Sequence, residues 1–242
     1  MKRIIKISLI FLLVGMAVIV AVPFLKEKEA EKKSDNGFKE IQESVTDKKD
    51  KTINVEKLKG ENKDCIGYLE VSGTTISYPV MQTKDNPDYY LNHDFNKNYS
   101  FYGTPYLSAY CDINKSDNLI IYGHHMKNGN MFGKLQNYED EKFYRAHKAI
   151  VFDTVREHRE YQVLSVFRGQ AYAADDTEHF HYYDFTEARD QEDFEDYVEQ
   201  ITRRSQYQTG VTAEYGDELL TLSTCAYHKE EGRFVVVAKR VT

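Results

Sequence analysis

The chain has 242 residues, ample for one domain with a real hydrophobic core. Its net charge of -7, with no basic stripe of interleaved aromatics, excludes a general nucleic-acid binder. No phosphate-cradling glycine loop and no dinucleotide fingerprint is present.

The N-terminus carries the first signal. Lys2, Arg3 and Lys6 precede an apolar run at 7–25, close to the roughly 20 residues that cross a bilayer as a helix. Basic residues on its N-terminal side place residues 1–6 in the cytoplasm and the rest outside. A cleaved signal peptide would need a small-residue site, which Val20-Ala21-Val22 matches poorly. The segment therefore reads as a signal-anchor. The expected localisation is the cell membrane, single-pass, with the folded part extracytoplasmic.

Residues 26–60 are rich in Lys, Glu and Asp and poor in apolar residues. This composition predicts a solvated linker with a helix near 38–45 and a second helix near 55–63 docked on the domain. The folded domain is expected over 61–242. Three cysteines follow the apolar segment: Cys65, Cys111 and Cys225. An odd number leaves at least one free or paired outside the chain, and no C-x-x-C pair suggests a structural zinc site.

From residue 65 the pattern changes to short β runs with turn signals. Runs 66–71 and 74–81 flank Ser72-Gly73, a hairpin signal. Asn86-Pro87-Asp88 predicts a short helix over 86–92. Runs 105–110 and 118–122 read as strands, 140–147 as a short helix, and 149–155 with 161–167 as a strand pair. Segment 187–204 places Phe194, Tyr197, Val198 and Ile201 at helical spacing, with acids early and Arg203 and Arg204 late. Runs 219–224 and 234–241 are nearly continuously apolar, as central strands are. About eight strands with few helices predict a mainly β fold, a closed or nearly closed barrel.

A free thiol ionises at about 8.5, and a neighbouring cation or imidazolium lowers that value. A nucleophilic cysteine therefore needs a histidine or arginine beside it. Cys225 ends one apolar run, and Arg233 opens the next eight residues later. His124 and His125 follow Gly123 at the end of the run 118–122. Two neighbouring strands ending at one barrel rim would bring histidine and cysteine together. Adjacent residues on a strand point to opposite faces, so one of the two histidines should face the thiol.

These residues resemble the sortase family. Thr221-Leu222-Ser223-Thr224-Cys225 is similar to its T-L-S-T-C signature. Arg233 before the strand at 234–238 resembles the family arginine, and Tyr122-Gly123-His124 its glycine-histidine element. The long segment 167–219 and the N-terminal extension resemble class B sortases. The N-terminal lid motif and C-terminal membrane segment of the class C pilin polymerases are missing. The resemblance implies an eight-stranded sortase-like barrel with a few peripheral helices, one N-terminal and one before the strand of the catalytic cysteine.

It also implies a cysteine transpeptidase that anchors proteins to a Gram-positive cell wall. The Cys225 thiolate would attack the Thr carbonyl of a C-terminal sorting signal, N-P-Q-T-N-like or P-x-T-G-like, on a secreted protein. The acyl-enzyme thioester would pass to an amino group of peptidoglycan or a lipid-linked precursor. The family pattern selects His124 as acid and base, and Arg233 as the electrostatic partner of the substrate carbonyl or oxyanion. Tyr122, Asn92, Ser223 and Thr224 are the implied substrate-binding residues, with the loop 172–185 as groove wall. Ala226 stands where some class B relatives carry Glu. No cofactor, metal or nucleic acid is implied. His179, His181 and Asp184 in the loop read as a solvated polar surface. The competing readings are an extracytoplasmic hydrolytic cysteine peptidase and a non-catalytic wall- or haem-binding β domain.

Overall fold

The structure is a computed structural model of the full chain. It describes residues 2–47, 52–173, 175–226 and 231–242, with the backbone alone at 2–20 and 24. Residues 1–41 and 42–242 form two compact units.

One helix, α1, runs Lys2–Val45 with Pro23 inside it. The expected linker is thus helical up to residue 45. Lys, Glu and Ala are strong helix formers, and the mixed charges face one another at helical spacing, as in the Lys28–Glu31 pair at 3.1 Å. Most side chains of the expected anchor at 7–25 lie outside the described residues. Among the described residues no helix is long and apolar enough to cross a membrane.

In the second unit α2 spans Val55–Glu61, capped by the Asn54 side chain and burying Val55 and Leu58. Strands β1 (Cys65–Val71), β2 (Ser77–Met81), β3 (Tyr106–Leu107), β4 (Asn118–Tyr122), β5 (Ala149–Thr154), β6 (Glu160–Gln170), β7 (Leu219–Cys225) and β8 (Gly232–Arg240) follow. They close into a barrel in the order β1-β2-β3-β4-β7-β8-β6-β5. Pairs β2·β3 and β4·β7 are parallel and the rest antiparallel. Closure removes free sheet edges. The runs that read as central strands, β7 and β8, lie side by side and are buried along most of their length.

The remaining helices are α3 (Glu141–Ala146) and α4 (Gln191–Arg204). The sequence pattern started α4 near 187, but Asp190 accepts from the backbone N–H of Asp193 and sets the start there. Phe194, Tyr197 and Ile201 of α4 pack with Leu164, Phe167, Leu219, Val235 and Val237 in one cluster. Each such fully buried apolar side chain contributes roughly 1.5–3 kcal/mol.

Three other expected elements shrink for reasons visible in their hydrogen bonds. The second strand begins at Ser77 because the Thr74 hydroxyl donates to Val71 O and accepts from Ile76 N–H, holding 72–76 as a turn. The helix expected at 86–92 is a 3₁₀ turn, Tyr89–Leu91, with no side-chain cap from Asp88. The strand expected at 105–110 is reduced to Tyr106–Leu107: Ser108 N–H still donates to Ile120 O, and Cys111 N–H then turns the chain back onto Ser108 O.

Candidate active site

Because β4 and β7 run parallel, their C-terminal ends reach the same rim, with Tyr122 beside Ser223. The chain leaves β4 through Gly123. Its N–H donates to Ser223 O at 3.2 Å, and its carbonyl accepts from the Thr224 hydroxyl at 2.6 Å. A Cβ on Gly123 would lie 2.8 Å from the ring of Phe132. Glycine at that position lets the turn pass over a fully buried aromatic and delivers His124 to the rim.

Cys225 is the last residue of β7 and is exposed. Since β8 is antiparallel to β7, its first residues lie at the same rim, and Arg233 is the rung partner of Cys225. The Arg233 side chain is 23% exposed; its Nη2 lies 3.0 Å from a Glu231 carboxylate oxygen, and its Nη1 donates to Gly232 O at 3.1 Å. Cys225, His124 and Arg233 together line a cavity of about 660 Å³, whose walls include Tyr122, Tyr182 and Tyr183.

His124 is half-buried and held from behind. Its Nε2 lies 2.7 Å from Leu91 O. A carbonyl only accepts, so Nε2 carries the hydrogen and Nδ1 keeps the lone pair of the neutral ring. The Phe101 ring lies nearly parallel to the imidazole at 6.3 Å, 14° between planes. His125 makes a different contact: its Nδ1 is 2.8 Å from Cys225 O.

The polar residues of the T-L-S-T-C run have partners. Thr221 donates to Asn118 Oδ1 at 2.8 Å. Ser223 shares a hydrogen bond of 2.7 Å with the Tyr182 hydroxyl. Ser223 and Thr224 touch the cavity but are 1% and 2% exposed. Asn92 is not among the residues lining the cavity; its neighbour Leu91 is. Asn92 ends the 3₁₀ turn, and its carbonyl accepts from Ser100 N–H at 3.0 Å.

Burial pushes the Tyr182 hydroxyl up to about 12. It also raises Tyr122 and Tyr106, so the cavity wall keeps neutral phenols. The Tyr106 hydroxyl donates to Asp88, a cavity residue that sequence pattern did not mark. Asp88, Leu91, Tyr106 and Tyr110 arrive from the excursion between β2 and β4, where no hydrophobic period labels a wall. A Pro-anchored turn with clustered tyrosines was the available signal.

On the other wall, the loop 172–185 contributes Tyr172, Tyr182, Tyr183 and Asp184. His179 pairs with Asp176 at 2.9 Å and His181 with Asp184 at 3.1 Å. The hydrogen bonds from His179 hold the Asp176 carboxyl at about 2. Among the described residues no cluster of three or more His, Cys, Asp or Glu is placed to hold a metal ion.

A closed barrel with a rim cysteine, a facing arginine and a histidine in one cavity can support acyl transfer through a thiol. The sequence profile of the sortase domain family matches residues 69–241. The chain is 37% identical over 185 residues to sortase B of Listeria monocytogenes, covering 75% of this chain and 71% of that protein. Its fold superposes on the Staphylococcus aureus sortase B-substrate complex with a TM-score of 0.76 at 30% identity, over 88% of this chain and 98% of that one. It matches a sortase B complexed with triglycine equally well, at 0.76 and 30%, over 88% and 99%. The chain therefore belongs to the sortase family, as a class B sortase transpeptidase.

Proposed function

We propose that the protein is a membrane-anchored sortase that joins secreted proteins to peptidoglycan through Cys225. The observation that carries this reading is the rung that sets the exposed Cys225 opposite Arg233, on the wall of the cavity that also holds His124. The basic cluster before the apolar run 7–25 supports a signal-anchor, with 1–6 cytoplasmic and 61–242 extracytoplasmic. Segment 26–60 serves as linker and helical extension.

The Cys225 thiol passes its proton to the free Nδ1 of His124, and the thiolate so formed attacks the Thr carbonyl carbon of an N-P-Q-T-N-like or P-x-T-G-like signal. The negative charge moves to the carbonyl oxygen, where the Arg233 guanidinium donates hydrogen bonds. The peptide C–N bond breaks, and the leaving amine takes its proton from His124. The thioester then meets an acceptor amine. His124 takes the proton from that amine, the new amide forms, and the sulfur leaves as thiolate. Tyr122, Ser223 and Thr224 shape the substrate groove, Ser223 and Thr224 through backbone and packing because their hydroxyls already have partners, and Asn92 supports it from the turn beside Leu91. The substrate and triglycine complexes of related sortase B enzymes support a peptide donor and a glycine-type amine acceptor.

The test is to incubate the full chain in detergent with an N-P-Q-T-N-like peptide and triglycine and to look for the Thr–glycine adduct by mass spectrometry. The adduct is expected with wild type and absent with Cys225→Ala. Cleavage without adduct would favour the hydrolytic peptidase. An adduct formed by Cys225→Ala would overturn the assignment of the nucleophile.

A further inference from the structure

The parallel ladder between β4 and β7 stops one step short of Cys225. Its last backbone bond runs from Gly123 N–H to Ser223 O. Strand carbonyls two residues apart point to the same side, so a continued ladder would bring the backbone N–H of residue 125 to Cys225 O. The chain turns away instead: His125 bridges to Met131, and Phe132 N–H donates to His124 O. The His125 side chain takes the vacated place, with Nδ1 2.8 Å from Cys225 O. On the opposite edge the chain stays tied to β8 one residue later, where Ala226 N–H donates to Gly232 O at 2.8 Å.

We propose that His125 is a positioning residue for the nucleophile: its Nδ1–H replaces the missing ladder bond and holds the backbone of Cys225 at the rim. The proposal rests on the reading of Cys225 as nucleophile. A carbonyl only accepts, so Nδ1 of His125 is the protonated nitrogen, the opposite tautomer to that of His124. The adjacent histidines are thereby divided between two tasks: His124 keeps Nδ1 for proton exchange, and His125 commits Nδ1–H to the main chain. The contact survives protonation of His125, because the imidazolium also donates through Nδ1. The thiol sits on the residue so held, and a displacement of about 1 Å at a reacting group costs on the order of a hundredfold in rate.

The test compares His125→Ala with His125→Asn in the full chain. The Asn amide nitrogen hangs from Cγ as Nδ1 does, so it restores the donor without an imidazole. His125→Ala is expected to lower kcat about tenfold to a hundredfold with KM little changed, and to slow alkylation of Cys225 by iodoacetamide. His125→Asn is expected to recover most of both losses, and neither variant should shift the pH profile. Long-range ¹⁵N–¹H correlation on histidine-labelled protein should show His125 as the Nδ1–H tautomer. If Asn is as inactive as Ala and a limb of the pH profile disappears, His125 moves protons and the positioning role fails. If the Ala variant keeps wild-type kcat and alkylation rate, the contact positions nothing. Turnover retained by Cys225→Ala would instead bring down the underlying reading, and that outcome is distinct because it does not involve residue 125.

Discussion

Cys225 and Arg233 are rung partners at the connected end of the β7–β8 hairpin, so a thiol and a guanidinium eight positions apart in the chain share one rim. The backbone register, not a flexible loop, sets this neighbourhood. The guanidinium is steadied by Gly232 O and by Glu231 and still borders the cavity. Arg233→Lys keeps the charge but loses the planar fork that can serve a carbonyl oxygen while holding these contacts. Its kcat for a signal peptide is expected to fall about 10²–10³-fold, the range for losing one oxyanion donor. Rates near wild type would remove Arg233 from the chemistry.

The cysteines should separate sharply by reactivity. Cys65 and Cys111 are each 0% exposed. Burial pushes their thiols up to about 12 and about 11, respectively, while Cys225 is exposed. Iodoacetamide at neutral pH is therefore expected to add once to the native protein, at Cys225, and three times after unfolding in denaturant. Peptide mapping reads this directly, and rapid native labelling of Cys65 or Cys111 would contradict the described core.

The elements legible in the sequence were those whose signal is local. The apolar runs 118–122 and 219–224 are strands because both their faces are buried, and the spacing of Phe194, Tyr197 and Ile201 is the core stripe of α4. The helix from Lys2 to Val45 is only partly legible because its charged half lacks an apolar stripe, while Lys and Glu propensity does not show as periodicity. The groove was legible only in part. Cys225, Arg233 and His124 carry strand-end signals, whereas Asp88 and Leu91 reach the cavity through tertiary folding of an irregular excursion. Asn92 illustrates the limit: its neighbour Leu91 lines the cavity, while its own backbone closes a turn.

Gly123 is a point where the local rule and the site meet. Gly123→Ala would press a methyl into the Phe132 ring at 2.8 Å, and Phe132 is fully buried. Overpacking of this kind costs about 1–3 kcal/mol. A lower urea midpoint is expected together with reduced kcat, because the same turn carries His124. An unchanged midpoint would show that the ring yields at no cost.

Acid sensitivity should centre in part on Asp64. Burial raises its carboxyl, but hydrogen bonds from Lys97 and Tyr90 and the Lys97 charge outweigh this and lower it overall. The contacts are 2.8 Å to Lys97 and 2.9 Å to Tyr90. A folded value below the unfolded one, about 3.9, stabilises the native state above that pH. The contribution is lost as pH falls through the folded value. Urea unfolding of wild type and Asp64→Asn should thus differ at pH 7 and converge as pH drops below about 4. A gap that persists unchanged into acid would assign the effect to packing instead.

The hydroxyls of the T-L-S-T-C run separate structure from chemistry. Thr221 and Asn118 are both 0% exposed, and Asn118 uses its amide nitrogen on Phe185 O and the Tyr197 hydroxyl. Its Oδ1 accepts from Thr221. This hub fastens β4 and β7 to α4, since Asn118 opens β4, Thr221 lies in β7 and Tyr197 in α4. Thr221→Val keeps the shape and removes the donor, leaving a buried amide oxygen without it, at a cost of about 1–3 kcal/mol. The residue lies four positions before the thiol, so the expected result is a lower unfolding midpoint with kcat within about twofold of wild type at temperatures where the protein is folded. Thr221→Ser retains the hydroxyl and should recover much of the stability. A large fall in kcat with an unchanged midpoint would instead place Thr221 in the reaction, and the hub would have to be counted as part of the site.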